Sequence, residues 1–316
     1  MKVPGAYGKR TYLYMGILVF SIILVYTGCR QPAKRPDFQS EPTISLYVNE
    51  TGETKKIKLE EYLEGVVAAE MDPSWSEEAL AAQAILARTF TLKKIQEGGV
   101  KARGTDASTN IEEFQAYDPN RITQRVKEAV KRTRGEVVTY RGKLINGWFH
   151  ADGGGQTAAS AVEGLEYRKE QTPYIQSVKD PGRNITLPEN RSWTISFPLA
   201  QVRKAVQEVA GQDPGTITRV EILERGPSGR TTKIRLGKVT LSAPALRLAL
   251  GSDKMRSTLL ESFTIKDGSL TMRGKGYGHG VGMSQWGARA LAEEGKKAEE
   301  IVRYFFKGVQ VEQRWR

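Results

Sequence analysis

The stretch 77–96 constrains this fold most, because Ala, Leu and Ile residues cover nearly every side of what reads as one long helix. A helix apolar on most sides has little face to give to water, so it belongs at the centre of its domain. Gln83 and Arg88 are its polar exceptions, and each needs either a hydrogen-bonding partner or a cleft. A shorter helix precedes it, on which Leu59, Leu63, Val66 and Val67 fall within an arc of roughly 100°. Glu70 lands in that same arc. Pro73 separates the two helices, and Ser74 with Glu77 has the spacing of a capping box for the second.

A carboxyl group on the buried stripe of a helix is costly to ionise, and its pKa rises unless a cation offsets the cost. A general acid working near neutral pH needs that state. The competing reading is a structural ion pair with Arg88, which would lower the pKa and deliver the group already ionised.

The chain has 316 residues, enough for one large domain or two moderate ones. A net charge of +12 favours anionic partners such as phospholipid or acidic wall polymers. The basic residues are spread out with no long Lys/Arg block, so no nucleic-acid site is expected. Cys29 is the only cysteine, which excludes an intrachain disulfide and a multi-cysteine metal site. It ends a segment, 1–29, with a basic start (Lys2, Lys9, Arg10) and an uncharged, mostly apolar run over 11–28. That is the shape of an export signal. Thr27-Gly28-Cys29 resembles the bacterial lipoprotein cleavage site, at which the cysteine is lipidated, although Tyr26 stands where leucine is usual. An uncleaved anchor, or cleavage without lipidation, are the alternatives. Each places the folded part outside the membrane. Residues 30–42, with Pro32, Pro36 and Pro42, read as an extended tether.

The folded part, 43–316, opens with a hairpin, 44–48 against 54–58. After the two helices come a loop over 98–110, a charged helix over 121–134, and a hairpin of 136–140 with 144–149. The last delivers His150 and the cluster Gly153-Gly-Gly155 at a strand end, a common place for binding residues. Residues 190–265 read as a subdomain or insertion, with a helix over 198–210, strands over 216–223 and 231–236, and a short helix over 243–250. Residues 262–265 and 269–272 make another hairpin. Helices interspersed with hairpins, and few βαβ alternations, predict an α+β fold: a helical catalytic region with β-hairpins around it and a second, smaller α+β subdomain.

The segment 274–288 has glycine at every second position from 274 to 282. If extended, one face is bare backbone while Lys275, Tyr277, His279 and Val281 project from the other. A bare face admits another chain segment or a flat ligand, or serves only a tightly packed strand. Ser284 can cap the helix that follows. The dinucleotide-binding spacing fails at Met283, the nucleophile elbow fails at Trp286, and there is no P-loop. His150 and His279 are the only histidines, so no histidine-rich metal site is expected. What remains is acid–base chemistry by a carboxyl group, which points to glycosidic bonds.

The segments Val67-Ala-Ala-Glu70-Met, Glu78-Ala-Leu-Ala-Ala-Gln83-Ala, Ala87-Arg-Thr89, Gln115-Ala-Tyr117, Pro173-Tyr-Ile175, Ser228-Gly-Arg230 and Gly276-Tyr-Gly-His-Gly-Val-Gly-Met-Ser-Gln285, with residues 149–155, run in one order along the chain. Together they resemble the stage II sporulation protein D family, which shares its domain with amidase-enhancer proteins of bacterial walls. The resemblance implies a peptidoglycan lytic transglycosylase that cuts between N-acetylmuramic acid and N-acetylglucosamine and leaves 1,6-anhydro ends. In sporulating bacteria the family acts on strands whose stem peptides an amidase has removed. The family's catalytic glutamate maps onto Glu70, and Gln83, Arg88, Tyr174, Tyr277 and His279 are candidates for lining the glycan groove. Asp72 is assigned no role. Some relatives bind zinc through Cys and His, but Phe114 stands where a cysteine is common, so neither metal nor cofactor is expected. The implied location is the outer face of the bacterial cytoplasmic membrane, anchored through Cys29 or the N-terminal segment, with a cell-wall amidase as possible partner. The rival readings are a non-catalytic wall-binding module that stimulates an amidase, and a serine-type hydrolase using Ser284 and His279.

Overall fold

The computed structural model describes residues 38–316; Cys29, the segment 1–29 and residues 30–37 of the tether lie outside the described residues. Strands β1 (Thr43–Val48) and β2 (Glu53–Lys58) pair antiparallel, as the alternation predicts. Helix α1 (Leu59–Glu70) follows with no loop, and a short turn leads into α2 (Glu77–Gln96). The expected capping box does not form. Ser76 is the residue before α2, and Ser74 belongs to the turn, its N–H donating to Asp72 Oδ1 at 2.9 Å.

Strand β3 (Ala107–Ser108) joins β1 in parallel, and α3 (Gln124–Arg132) begins at Thr123, whose hydroxyl accepts from the Val126 N–H. Strand β4 (Glu136–Tyr140) pairs with only two residues of β5 (Lys143–Leu144), a shorter hairpin than the sequence predicts. The reason lies at Gly147. A Cβ there would sit 2.8 Å from the Leu86 carbonyl oxygen, so the chain passes flat against α2 instead of continuing the ladder. It resumes as β6 (Phe149–His150), then α4 (Ala161–Leu165) and α5 (Pro188–Arg191).

The next segment builds a separate core. Strands β7 (Trp193–Pro198), β11 (Leu260–Lys266) and β12 (Ser269–Gly274) form one sheet in the order β11-β12-β7. Strands β8 (Val220–Arg225), β9 (Thr231–Leu236) and β10 (Val239–Ser242) form another in the order β10-β9-β8. Helices α6 (Leu199–Ala210) and α7 (Ala243–Leu250) pack with them. Phe197, Val202, Ile234, Leu246 and Met272 are buried in a cluster that shares no residue with the larger core.

The chain then returns through β13 (Met283–Ser284), parallel to β6, into α8 (Gln285–Glu293), α9 (Ala298–Phe305) and β14 (Gln310–Gln313), which pairs with β4. Contacts from α1, α3, α8, α9 and β4 surround α2. Its Leu80, Ile85, Leu86 and Leu92 are fully buried, each stabilising the fold by roughly 1.5–3 kcal/mol. The central helix is therefore where its composition requires it, and the fold is α+β. No helix among the described residues is long and apolar enough to cross a membrane.

The glycine-alternating segment is not a strand. Gly276, Gly278, Gly280 and Gly282 have φ of +81°, +109°, +82° and +75°, a left-handed region that side-chain-bearing residues rarely adopt. Close approach demands glycine as well: a Cβ at Gly280 would lie 2.3 Å from the Arg230 guanidinium, and one at Gly282 2.1 Å from the Trp148 carbonyl oxygen. Alternating backbone hands break the pleat, so Tyr277, His279 and Val281 do not share a face.

Candidate functional site

Glu70 is the last residue of α1 and is half-buried. The Ala116 N–H donates to its Oε1 at 2.9 Å, and the Gln285 amide is the other polar donor that favours its carboxylate form. Burial pushes its pKa up to about 7, against the pull of these two donors. It sits in a cleft of about 230 Å³ with Trp75, Tyr277, Gln285 and Trp286. Met71 leaves helical geometry, with φ −125° and ψ 159°. Helical spacing therefore stops predicting directions at residue 70, and Asp72 lines the same cleft. Its carboxyl is exposed and held below the usual range, chiefly by the Ser74 N–H.

The opposite wall comes from α5 and the segments beside the second core. The Arg256 guanidinium lies 4.7 Å from the centre of the Tyr277 ring and donates to Asn190 Oδ1 at 2.7 Å. On the other side Trp75 and Trp286 have ring centres 4.8 Å apart at 59°, with the Arg289 guanidinium 5.2 Å from each ring. Aromatic faces beside a protonated carboxyl group suit a pyranose ring, whose C–H faces are apolar and whose hydroxyls are not. If sugars pack here, Trp286→Ala weakens binding of soluble glycan about tenfold, read by titration calorimetry.

A larger cleft of about 440 Å³ lies between α4 and the β8–β10 sheet. On its walls Lys233 pairs with Glu224, and Glu166 accepts from the Ser242 hydroxyl. The buried carboxyl on this wall, Glu163, is already taken up by the Ser228 N–H and hydroxyl, 3.0 and 2.8 Å from its Oε1.

The remaining sequence candidates divide. Tyr277 reaches the cleft; Gln83, Arg88, Tyr174 and His279 do not line it. Arg88, which the spacing left free to pair with Glu70, is 0% exposed and bound to Glu60 instead, NH2 to Oε2 at 2.5 Å. A groove role for it is corrected accordingly. The Tyr174 hydroxyl is buried, accepts from the Asn146 N–H at 3.0 Å, and titrates only at about 12 because burial disfavours its anion. His279 packs on His150 with ring centres 5.7 Å apart. Burial, then Arg247 and Arg230, press its pKa down to about 3, which favours the neutral ring. Its Nδ1 accepts from the Val281 N–H. Gln83 is buried one layer behind the cleft, against Gln285. Ser284 is 0% exposed and caps α8 by accepting from the Gly287 N–H, which leaves no accessible nucleophile. Among the described residues no three His, Cys, Asp or Glu side chains are placed to hold a metal ion.

Sequence reasoning missed Gln285, Trp75, Trp286, Asn190 and Arg256. The first three were within reach, since Trp75 lies in the turn after Glu70 and Gln285-Trp286 follows the glycine segment directly. Asn190 and Arg256 carry no local signal; long-range folding brings them in.

The profile of the stage II sporulation protein family matches residues 47–140, a span that includes Glu70, Gln83 and Ala116. A domain of unknown function matches residues 182–282. Stage II sporulation protein D of Bacillus amyloliquefaciens is 31% identical over 286 residues, which cover 86% of this chain and 79% of that one. Its namesake from Bacillus subtilis (strain 168) is 29% identical over 295 residues, with 86% and 79% covered. The amidase enhancer of the same strain is 30% identical over 294 residues, 78% of this chain but 39% of that longer protein.

Proposed function

Since the chain belongs to the stage II sporulation protein D family, we propose that it is a peptidoglycan lytic transglycosylase in which Glu70 acts first as acid and then as base. The observation that carries this reading is a single half-buried carboxyl group with a pKa near 7, walled by aromatic rings in an open cleft. Glu70 gives its proton to the glycosidic oxygen as the bond to the muramoyl C1 breaks. The C6 hydroxyl of that muramoyl residue then attacks C1, and its proton passes to the Glu70 carboxylate. The 1,6-anhydro ring closes and the acid is regenerated. No water enters, so no second carboxylate is needed to activate one, unlike in hydrolysing glycosidases.

The substrate in this reading is the MurNAc-GlcNAc glycan strand, bare of stem peptides or not, outside the cytoplasmic membrane during wall remodelling or engulfment. A tether through Cys29 or the N-terminal segment belongs to the same proposal, as does a wall amidase as partner. The test is mass analysis of products from purified protein on isolated glycan, denuded and intact. Anhydro-muramoyl ends support the reading. Their absence on both favours the alternative, a wall-binding module that stimulates an amidase, which the amidase-enhancer relative brings into consideration.

A pH profile follows with a definite sign. The first step needs Glu70 protonated, and its pKa lies at about 7. Cleavage rate per enzyme at low substrate should hold below that pH and fall about tenfold per unit above it. A flat profile through pH 9 would remove Glu70 as the acid.

A further inference from the structure

We propose that Arg256 is the specificity-determining residue of the cleft: its guanidinium takes the lactyl carboxylate of a muramoyl sugar and so sets which glycosidic bond lies at Glu70. The proposal rests on the transglycosylase reading for what is cut, while the carboxylate site itself can be tested without any cleavage.

Arg256 lies in the segment between α7 and β11, and its backbone is held from two sides. Its carbonyl oxygen accepts from the Gly278 N–H at 2.8 Å and from Arg247 Nε at 3.1 Å. The side chain is held as well. NH1 donates to Asn190 Oδ1 at 2.7 Å and to the Glu189 carbonyl oxygen at 3.3 Å. The Asn190 amide is itself fixed, because Asn190 is buried and its Nδ2 donates to the Thr186 hydroxyl at 2.9 Å. The guanidinium lies over the Tyr277 ring. The head of a long side chain is thus placed before any ligand arrives, and little ordering is left to oppose binding.

What holds this cation is neutral. Two amide oxygens and a ring leave its charge uncancelled, and among the described residues no Asp or Glu pairs with it. Arg289 on the facing wall is different, with Glu293 at 2.8 Å. Arg256 is half-buried and lines the cleft, and its Nε and NH2 have no protein acceptor. Those two groups form a fork that matches a carboxylate with parallel hydrogen bonds, and arginine keeps its proton at any pH at which Glu70 works.

The rest of the lining decides where an anion can settle. Arg256 is the only lysine or arginine among the described residues of this lining, whereas Glu70, Asp72 and Glu189 are its acids. A carboxylate is opposed beside those acids and favoured at Arg256. The glycan carries one such group per disaccharide, since N-acetylmuramic acid differs from N-acetylglucosamine by the lactyl ether on O3. Trp75 and Trp286 can take either sugar by its apolar face, so they do not distinguish one register of the strand from the next. A slip by one sugar would bring the wrong C1 to Glu70. Arg256 supplies the distinction, and an amide at the lactyl carboxyl would remove it.

The experiment is titration calorimetry on Glu70→Gln protein with three soluble oligosaccharides of equal length. One alternates GlcNAc and MurNAc with free lactyl groups, the second has each lactyl carboxylate converted to its methylamide, and the third is GlcNAc alone. The free acid should bind about tenfold tighter than either neutral oligomer. Adding Arg256→Met should bring the three affinities within about twofold of one another, whereas Arg256→Lys, which keeps a charge without the fork, should retain an intermediate preference. Equal affinities for acid and methylamide in the Glu70→Gln protein, or a preference that survives in folded Arg256→Met, overturns the proposal. The methylamide comparison needs no change at Arg256, and Arg256→Lys locates the preference if Arg256→Met fails to fold. A preference that follows Arg256 in a protein whose parent makes no anhydro ends supports the carboxylate site and counts against the transglycosylase reading. Anhydro ends formed without the preference do the reverse.

Discussion

On the proposed reading, Glu70→Gln should remove the formation of anhydro ends and leave a more stable protein at alkaline pH. Glutamine keeps the shape of the side chain and can accept from the Ala116 N–H, but it has no proton to give. General acid–base catalysis contributes about 10²–10⁴-fold, and product release measured on isolated glycan should fall by at least that much. The stability effect has the opposite sign. Glu70 has a folded pKa of about 7, above its ordinary value of 4.5. Its contribution to stability is therefore fully present below the unfolded value and is lost as pH rises through about 7. Above that pH the native state holds a carboxylate that its surroundings disfavour, and glutamine relieves the cost. Thermal unfolding at pH 8 should show Glu70→Gln melting higher than the parent, with little difference at pH 5. Equal melting at both values would mean that Glu70 is not held against its ionisation, and its suitability as an acid would go with it.

The largest loss of stability is expected at Glu60. Its Oε1 accepts from Arg88 Nε at 3.1 Å, the Gly135 N–H at 3.1 Å and the Trp315 indole at 2.9 Å, and its Oε2 from Arg88 NH2 at 2.5 Å. Arg88 NH1 in turn donates to the Glu136 carbonyl oxygen at 3.0 Å. This cluster ties α1 and α2 to the loop before β4 and to the C-terminal tail. Glu60→Ala strands a guanidinium with no access to water, and breaking such a pair by removing one partner costs about 3–5 kcal/mol. Urea denaturation should show that loss as a lower midpoint with an unchanged slope. The double variant with Arg88→Met should recover part of it, because the uncompensated charge is gone. A loss below about 1 kcal/mol would mean that the pair is dispensable.

That pair also shows where sequence reasoning ran short. Periodicity identified α1, α2 and their buried faces, and composition placed α2 at the centre, because both depend on neighbours three and four residues apart. Which acid meets Arg88 depends instead on how α2 folds back along α1. Glu70 lies beside the turn and Glu60 at the far end of its helix, while Arg88 is itself well past the turn. A hairpin of two helices brings far end to far end, so Glu60 is its partner and Glu70 is left for the cleft. The cleft was legible on one side only. Glu70, Trp75, Gln285 and Trp286 belong to the two least ordinary stretches of the sequence. Asn190 and Arg256 come from unremarkable polar stretches and arrive by tertiary folding. The glycine alternation was visible, but its meaning was not. A period of two signals a pleated strand when side chains alternate, yet here every second residue, a glycine, takes a left-handed φ between neighbours that do not, a property that no hydropathy pattern records.

Glu70 is also the point at which α1 stops, and the helix has no basic residue in its last turn. Aligned peptide dipoles leave a helix with about half a negative charge at its C-terminal end, which a lysine or arginine there would ordinarily complement. Its own last turn carries none, and the Arg121 guanidinium, donating to the Ala69 carbonyl oxygen at 3.3 Å, is the cation that meets this end from outside, so a carboxylate on the final residue feels the helix end and that cation together. The position of the stop is therefore an electrostatic setting as well as a steric one. A chain of this fold that placed a cation in that last turn would keep its cleft and its aromatic walls, and would work in more acidic surroundings.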